Sequence, residues 1–187
     1  MKAFILNGLE KKDNMLYEMI SDQLKHMNWE INTFSPQDKH IAPCQGCFGC
    51  WIKTPGICVI DDDGRDVVKM AAQSDAMLFL SPVTFGGYAS DLKKAIDRLI
   101  PIILPFFMKI KGEIHHKPRY TRSPLLIGVG LLSHPDEESE QIFKTLVARN
   151  AINLHSPLSA AGVILRDYIP EKTRAEIKTL FAQAGVK

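Results

Sequence analysis

Apolar and polar positions along the chain follow two periods in turn. Residues 3–6 form an unbroken apolar run, after which Leu16, Ile20, Leu24 and Met27 recur at helical spacing, predicting a strand and then a helix. Residues 29–34 alternate as a second strand. Beyond a long loop, Val67, Val68 and residues 70–72 suggest a helix entered through Asp61, Asp62 and Asp63, whose charge suits a helix start. Residues 76–80 are the most strand-like segment, an apolar run of the kind central parallel strands carry, and Ser81-Pro82 is expected to stop it. A loop with Gly86-Gly87 leads to a helix that turns Leu92, Ile96, Leu99 and Ile100 inward. Residues 125–132 read as a further strand. Ser133-His134-Pro135-Asp136 then starts a helix, with Pro135 at or near its first position and Ile142, Phe143, Leu146 and Val147 on its core face. Residues 163–165 give the last strand, and Pro170 opens a final helix with Ile177, Leu180 and Phe181 inward.

Five strands alternating with helices over mostly short connections predict an α/β fold, a three-layer doubly wound parallel sheet of five strands in the order 2-1-3-4-5. Ligands of such sheets sit beyond the carboxyl ends of the strands, near the switch point between strands 1 and 3. That directs attention to the loops at residues 7–14, 81–88 and 130–135.

Composition narrows the picture without redirecting it. At 187 residues and 45% apolar content, the chain is expected to form one domain over residues 1–187. A net charge of +2, with 23 basic against 21 acidic residues in no block, offers no footprint for nucleic acid or an anionic membrane. The opening apolar run is too short for a signal segment, and residues 99–110 fall short of a span and contain Pro101 and Pro105. A cytoplasmic protein is expected, in which four cysteines serve as metal ligands, redox groups or core residues more often than as disulfides.

The most specific stretch is Ser81-Pro82-Val83-Thr84-Phe85-Gly86-Gly87-Tyr88, continued by a helix that ends in Asp97-Arg98. It resembles the NAD(P)H-dependent FMN reductases of the flavodoxin-like superfamily. The resemblance implies FMN as cofactor, with its ring wrapped by Ser81, Pro82, Val83, Thr84, Phe85, Gly86 and Gly87 through backbone groups, glycines for close approach and an apolar wall. It also implies electron transfer from NAD(P)H to a small-molecule or protein acceptor, with no side chain required as a catalytic acid or base. The first loop departs from the family pattern, which carries hydroxyl donors for the phosphate. Here only Gly8 and Asn14 echo it; Lys11 or Lys12 would supply charge, Glu10 and Asp13 would oppose a dianion, and a solvated turn is the competing reading.

All four cysteines, Cys44, Cys47, Cys50 and Cys58, fall within one loop at the spacing C-x2-C-x2-C-x7-C. The spacing resembles the compact motif of the iron-sulfur flavoproteins, which implies a 4Fe-4S cluster held by four thiolates. Zinc, a redox dithiol and plain packing of a loop over the flavin compete with it. His115-His116, in the basic run 111–122, are expected on a surface loop. Residues 99–108 are too apolar to stay in water, and a homodimer or higher homo-oligomer that buries them is expected. Two other functions fit the same fold: an electron carrier with an iron-sulfur cluster, and a protein that has lost FMN.

Overall fold

The computed structural model describes residues 1–167 and 170–186. The sheet has five parallel strands, β1 (Lys2–Asn7), β2 (Glu30–Phe34), β3 (Ala76–Thr84), β7 (Leu125–Leu132) and β8 (Ser159–Leu165), in the order β2-β1-β3-β7-β8. Counting only these, the order is the expected 2-1-3-4-5. Helices α1 (Asn14–His26) and α6 (Pro170–Gln183) cover one face, and α3 (Gly64–Ala72), α4 (Ser90–Asp97) and α5 (Glu137–Asn153) cover the other. A one-turn helix, α2 (Gly49–Ile52), lies in the long connection before α3.

Successive side chains of a strand point to opposite faces, so a strand covered on both sides must be apolar throughout. Ala3, Ile5, Leu78, Leu80, Ile127 and Val129 meet Leu16, Ile20, Ile177 and Phe181 on the first face. Phe4, Leu6, Met77, Phe79 and Leu126 meet Val67, Leu92, Phe143 and Val147 on the second. No helix among the described residues is long and apolar enough to cross a membrane.

The chain corrects the sequence reading at several points. Ser81-Pro82 does not end β3, which runs on to Thr84. Pro82 has no amide to donate, but pairing with β1 has already stopped at Leu80, and on the other side Pro82 still stands opposite Leu131 of β7. Residues 81–88 are therefore no open loop: β3 turns back on β4 (Gly87–Tyr88) with Thr84 opposite Gly87. Helix α4 ends at Asp97, and Leu99 and Ile100 belong to the tight turn after it. Helix α5 begins at Glu137; its cap is Asp136, whose carboxylate accepts from the Ser139 amide at 3.0 Å, and Pro135 stands one residue outside. Ile142 is not a core residue but is 45% exposed.

The apolar and basic segments from 99 to 122 are largely a second, small sheet. Strand β5 (Ile103–Ile110) pairs antiparallel with β6 (Glu113–Pro118), where a surface loop was expected. Ile102 and Ile103 at the start of this hairpin and His115 within β6 are buried, while Phe106 and Phe107 midway along β5 are exposed. His115 lies between Asn153 of α5 and Glu113, 2.9 Å from each, and Arg149 of α5 holds Glu113 at 3.0 and 2.7 Å. The hairpin is thus docked on α5 by polar contacts that periodicity alone does not register.

Candidate functional site

Three segments meet the solvent at the carboxyl ends of the strands. The first follows β1. Gly8 donates to Leu80 O of β3 at 2.8 Å, and a Cβ there would stand 3.0 Å from that oxygen, so glycine permits this approach. Leu9 turns into the core, and its amide bonds to Asn7 Oδ1 at 3.1 Å. A single 3₁₀ turn, Lys11–Asp13, then feeds α1. The amides of Lys11 and Lys12 precede the first bond of this turn, Asp13 to Glu10 at 2.9 Å. Lys12 is engaged by Glu10 at 2.7 Å, Lys11 is exposed, and Asn14 donates to Glu18 at 2.7 Å. Asp13 is turned inward rather than to water and faces Arg166, which follows β8, at 3.2 Å.

The second segment is the β3–β4 hairpin. Phe85 and Gly86 both have positive φ, 49° and 73°, the signature of a two-residue turn of the mirror-image type that matches strand twist. Glycine fits its place, but a phenylalanine there is strained, and strain of this kind gathers at functional sites. Phe85 is nevertheless 99% exposed. The strained ring is held outward rather than packed. Behind the turn, the Ser81 hydroxyl accepts from the Ala89 amide at 2.9 Å and donates to Pro82 O at 2.8 Å, so it is occupied with closing the turn onto α4. Tyr88 packs edge-on to Phe79 and Phe143 and accepts from Asn150 at 3.0 Å; burial pushes its phenol up to about 12, keeping it neutral.

The third segment is the connection 39–63, which contains every cysteine. All four thiols are free; Cys44 and Cys47 are exposed, Cys58 is half-buried and Cys50 is buried. Burial pushes the Cys50 thiol up, and Cys58, Cys44 and Cys47 add to the effect in that order. Among the described residues, however, no three such groups lie closely enough together to hold a metal ion. The donor chemistry fits a four-thiolate centre, but the described arrangement does not draw the four thiols together.

Arg98 ties this connection down. It is 1% exposed, and its two terminal nitrogens reach the two oxygens of Asp62 at 2.7 Å each. It also donates to Ala42 O at 2.8 Å. Asp62 in turn accepts from the amides of Ala42 and Gly64. Burial pushes the Asp62 carboxyl up, but Arg98 and those amides outweigh it and hold the group below its ordinary value. Asp62 was expected only to charge a helix start; it is half of a buried ion pair.

Sequence reasoning also missed an aromatic stack. Phe48, Trp51, His116 and Phe107 follow one another at ring separations of 5.3, 4.8 and 4.5 Å, joining the cysteine connection to the β5–β6 hairpin. Trp51 adds an indole hydrogen bond to Ile103 O at 3.0 Å. No local pattern announces such a stack, because its members come from segments more than fifty residues apart.

Residues 1–162 match the NADPH-dependent FMN reductase family along their whole length. The chain belongs to that family. An iron-sulfur flavoprotein of Methanocaldococcus jannaschii is 37% identical over 82 residues, 44% of this chain and 42% of that protein. One from Archaeoglobus fulgidus is 31% identical over 100 residues, 52% of this chain and 48% of its own length. The chain thus spans about half the length of the curated relatives it matches. Among solved structures, an NAD(P)H:quinone oxidoreductase from Methanothermobacter marburgensis superposes with a TM-score of 0.68 at 12% identity, covering 100% of this chain and 99% of that one. An azoreductase from Bacillus anthracis gives 0.66 at 13% identity, covering 100% and 98%. At such identities the likeness bears on the fold, which is flavodoxin-like in this family member.

Proposed function

We propose that residues 1–187 act as one FMN-dependent oxidoreductase domain that passes electrons from NAD(P)H to a small acceptor. The observation that carries this reading is the strained, outward-facing Phe85 turn at the end of β3, the strand to which Gly8 of the loop after β1 bonds at Leu80 O. When bound, FMN supplies the two-electron chemistry. The chain supplies position: Pro82, Val83, Thr84, Phe85 and Gly87 offer a ring wall and backbone hydrogen-bonding groups, while Gly8, Lys11, Lys12 and Asn14 frame the phosphate end. Ser81 and Gly86 serve this wall indirectly, one closing the turn and the other letting it bend. No side chain in these loops is needed as acid or base. Association through the exposed Phe106 and Phe107 belongs to the same proposal, the occupant being a second copy of the chain.

A 4Fe-4S cluster on Cys44, Cys47, Cys50 and Cys58 is the second reading. It is favoured by four free thiols in one loop and by similarity to iron-sulfur flavoproteins; it requires the exposed Cys44 and Cys47 segment to close on Cys50. The rival is a set of redox or packing thiols. A single preparation purified without oxygen tests both readings. Saturable quenching of FMN fluorescence and about four iron atoms per chain are expected. Absent quenching overturns the flavin reading, and flavin binding without iron leaves the thiols unligated.

A further inference from the structure

Asp13 and Arg166 form a charge pair at the phosphate end of the proposed flavin site, and the pair is incompletely satisfied. Asp13 is 5% exposed, and its Oδ2 has no hydrogen-bond donor although Arg166 Nη2 lies 3.2 Å away. Arg166 Nε is likewise buried without an acceptor. The arginine is fixed at its backbone, where its amide donates to Leu132 O at 2.8 Å across the ends of β7 and β8. A buried donor and a buried acceptor left open side by side are uncommon, because each forfeits its hydration without a replacement bond.

The surroundings indicate what kind of group completes the pair. Asp13 caps α1, so it sits where helix amides and the helix dipole favour an anion, yet its carboxylate makes no capping bond. The loop lacks hydroxyl donors, Lys12 is engaged by Glu10, and the partly exposed Arg166 reaches this helix start from the end of β8, with Glu10 also within range of its charge. A guanidinium fork matches a phosphate monoester with two parallel bonds, which it does not make to Asp13.

We propose that Arg166 recognises the phosphate monoester of the flavin nucleotide and that Asp13 is its resident counter-ion, which phosphate must displace. Affinity for the phosphate is then set by competition between two anions for one arginine. The proposal rests on the flavin reading above and adds two residues of opposite sign to it: Arg166 promotes phosphate binding and Asp13 opposes it.

Opposite signs make the test direct. FMN and riboflavin, which lacks the phosphate, are titrated at low ionic strength into the wild-type chain, Arg166→Gln and Asp13→Asn, with flavin fluorescence as readout. Asparagine keeps the size of aspartate, and no capping bond is at stake, so the second variant chiefly removes the charge. Arg166→Gln is expected to weaken FMN by about tenfold or more, the worth of a charge-assisted hydrogen bond. Asp13→Asn is expected to tighten FMN several-fold, and neither variant should move riboflavin. An unchanged ratio of FMN to riboflavin affinity in both variants overturns this inference while leaving the flavin reading intact, as does weaker FMN binding in Asp13→Asn. No quenching by either flavin, in the wild type or in Asp13→Asn, overturns both. If Arg166→Gln fails to fold, as judged by circular dichroism, Arg166→Lys replaces it: a point charge should keep part of the FMN affinity, and full retention would rule out recognition by the fork.

Discussion

Two connections at the carboxyl end of the sheet are held in opposite ways. The β3–β4 turn is four residues of backbone pairing, with its strain concentrated at Phe85 and its packing requirement at Gly86. The connection 39–63 has little regular structure and is held by side chains that arrive from far along the chain, Arg98 above all. The first is rigid because its geometry is local. The second depends on one buried ion pair 36 residues apart in sequence, and it leaves its thiols exposed to different degrees. Under the proposed reading, the first kind of loop would serve as a ring wall and the second would let the cysteine set close around a centre.

The largest effect should come from breaking the clamp. Arg98→Met leaves the Asp62 carboxylate, 2% exposed, buried and unpaired, and such losses cost about 3–5 kcal/mol. A lower urea midpoint is expected, together with faster alkylation of Cys50 as the connection loosens. The double variant Arg98→Met/Asp62→Leu removes both charges and should recover much of the stability, since apolar replacement of a whole buried pair is often tolerated. If the double variant is as unstable as the single one, the guanidinium acts by packing and not by charge.

A smaller loss is expected at the other loop. Gly86→Ala places a Cβ 2.6 Å from Ile142 Cγ2 and puts an alanine at φ +73°, so both crowding and backbone conformation oppose it. The backbone part costs roughly 1–2 kcal/mol. In a cycle with Ile142→Ala, the second change should relieve the crowding and leave the backbone part, so the two losses should not add. Strict additivity would mean that Ile142 gives way freely and does not brace the turn.

The contrast between the loops also marks what the sequence made legible. The sheet order and both core faces followed from period, because each is written in neighbouring residues. The turn itself was harder, since Pro82 reads as a stop unless one knows that β1 has already ended beside it. Gly86 stands out in the sequence as a residue for close ligand approach; in the fold it makes room for Ile142 of α5, which period assigns to the core. The partners of Arg98, Asp13 and His116 were out of reach: each is a long-range contact between polar or aromatic groups, and no spacing rule encodes a partner tens of residues away. Asp97-Arg98 was noticed as a motif while the buried role of its second member lay in the fold.

The smallest expected effect tests whether the hairpin beside the cysteine connection is held by charge. Hydrogen bonds from Arg149 and then His115 lower the Glu113 carboxyl to about 2 from an ordinary 4.5. A folded-state value below the unfolded one means that the charged form is preferred in the fold. The contribution is therefore fully present above about 4.5 and declines as pH falls toward about 2. Glutamine at this position keeps the size and a hydrogen-bonding oxygen but carries no charge. The stability gap between the wild type and Glu113→Gln should be greatest at neutral pH, narrow through the acid range and close near the lower value. Glu113 is half-exposed, so the gap should be well below that of the Arg98 variant and should shrink further in added salt. A gap that stayed constant with both pH and salt would assign the docking of β5 and β6 to shape alone, removing charge as the feature that the hairpin shares with the Arg98 clamp.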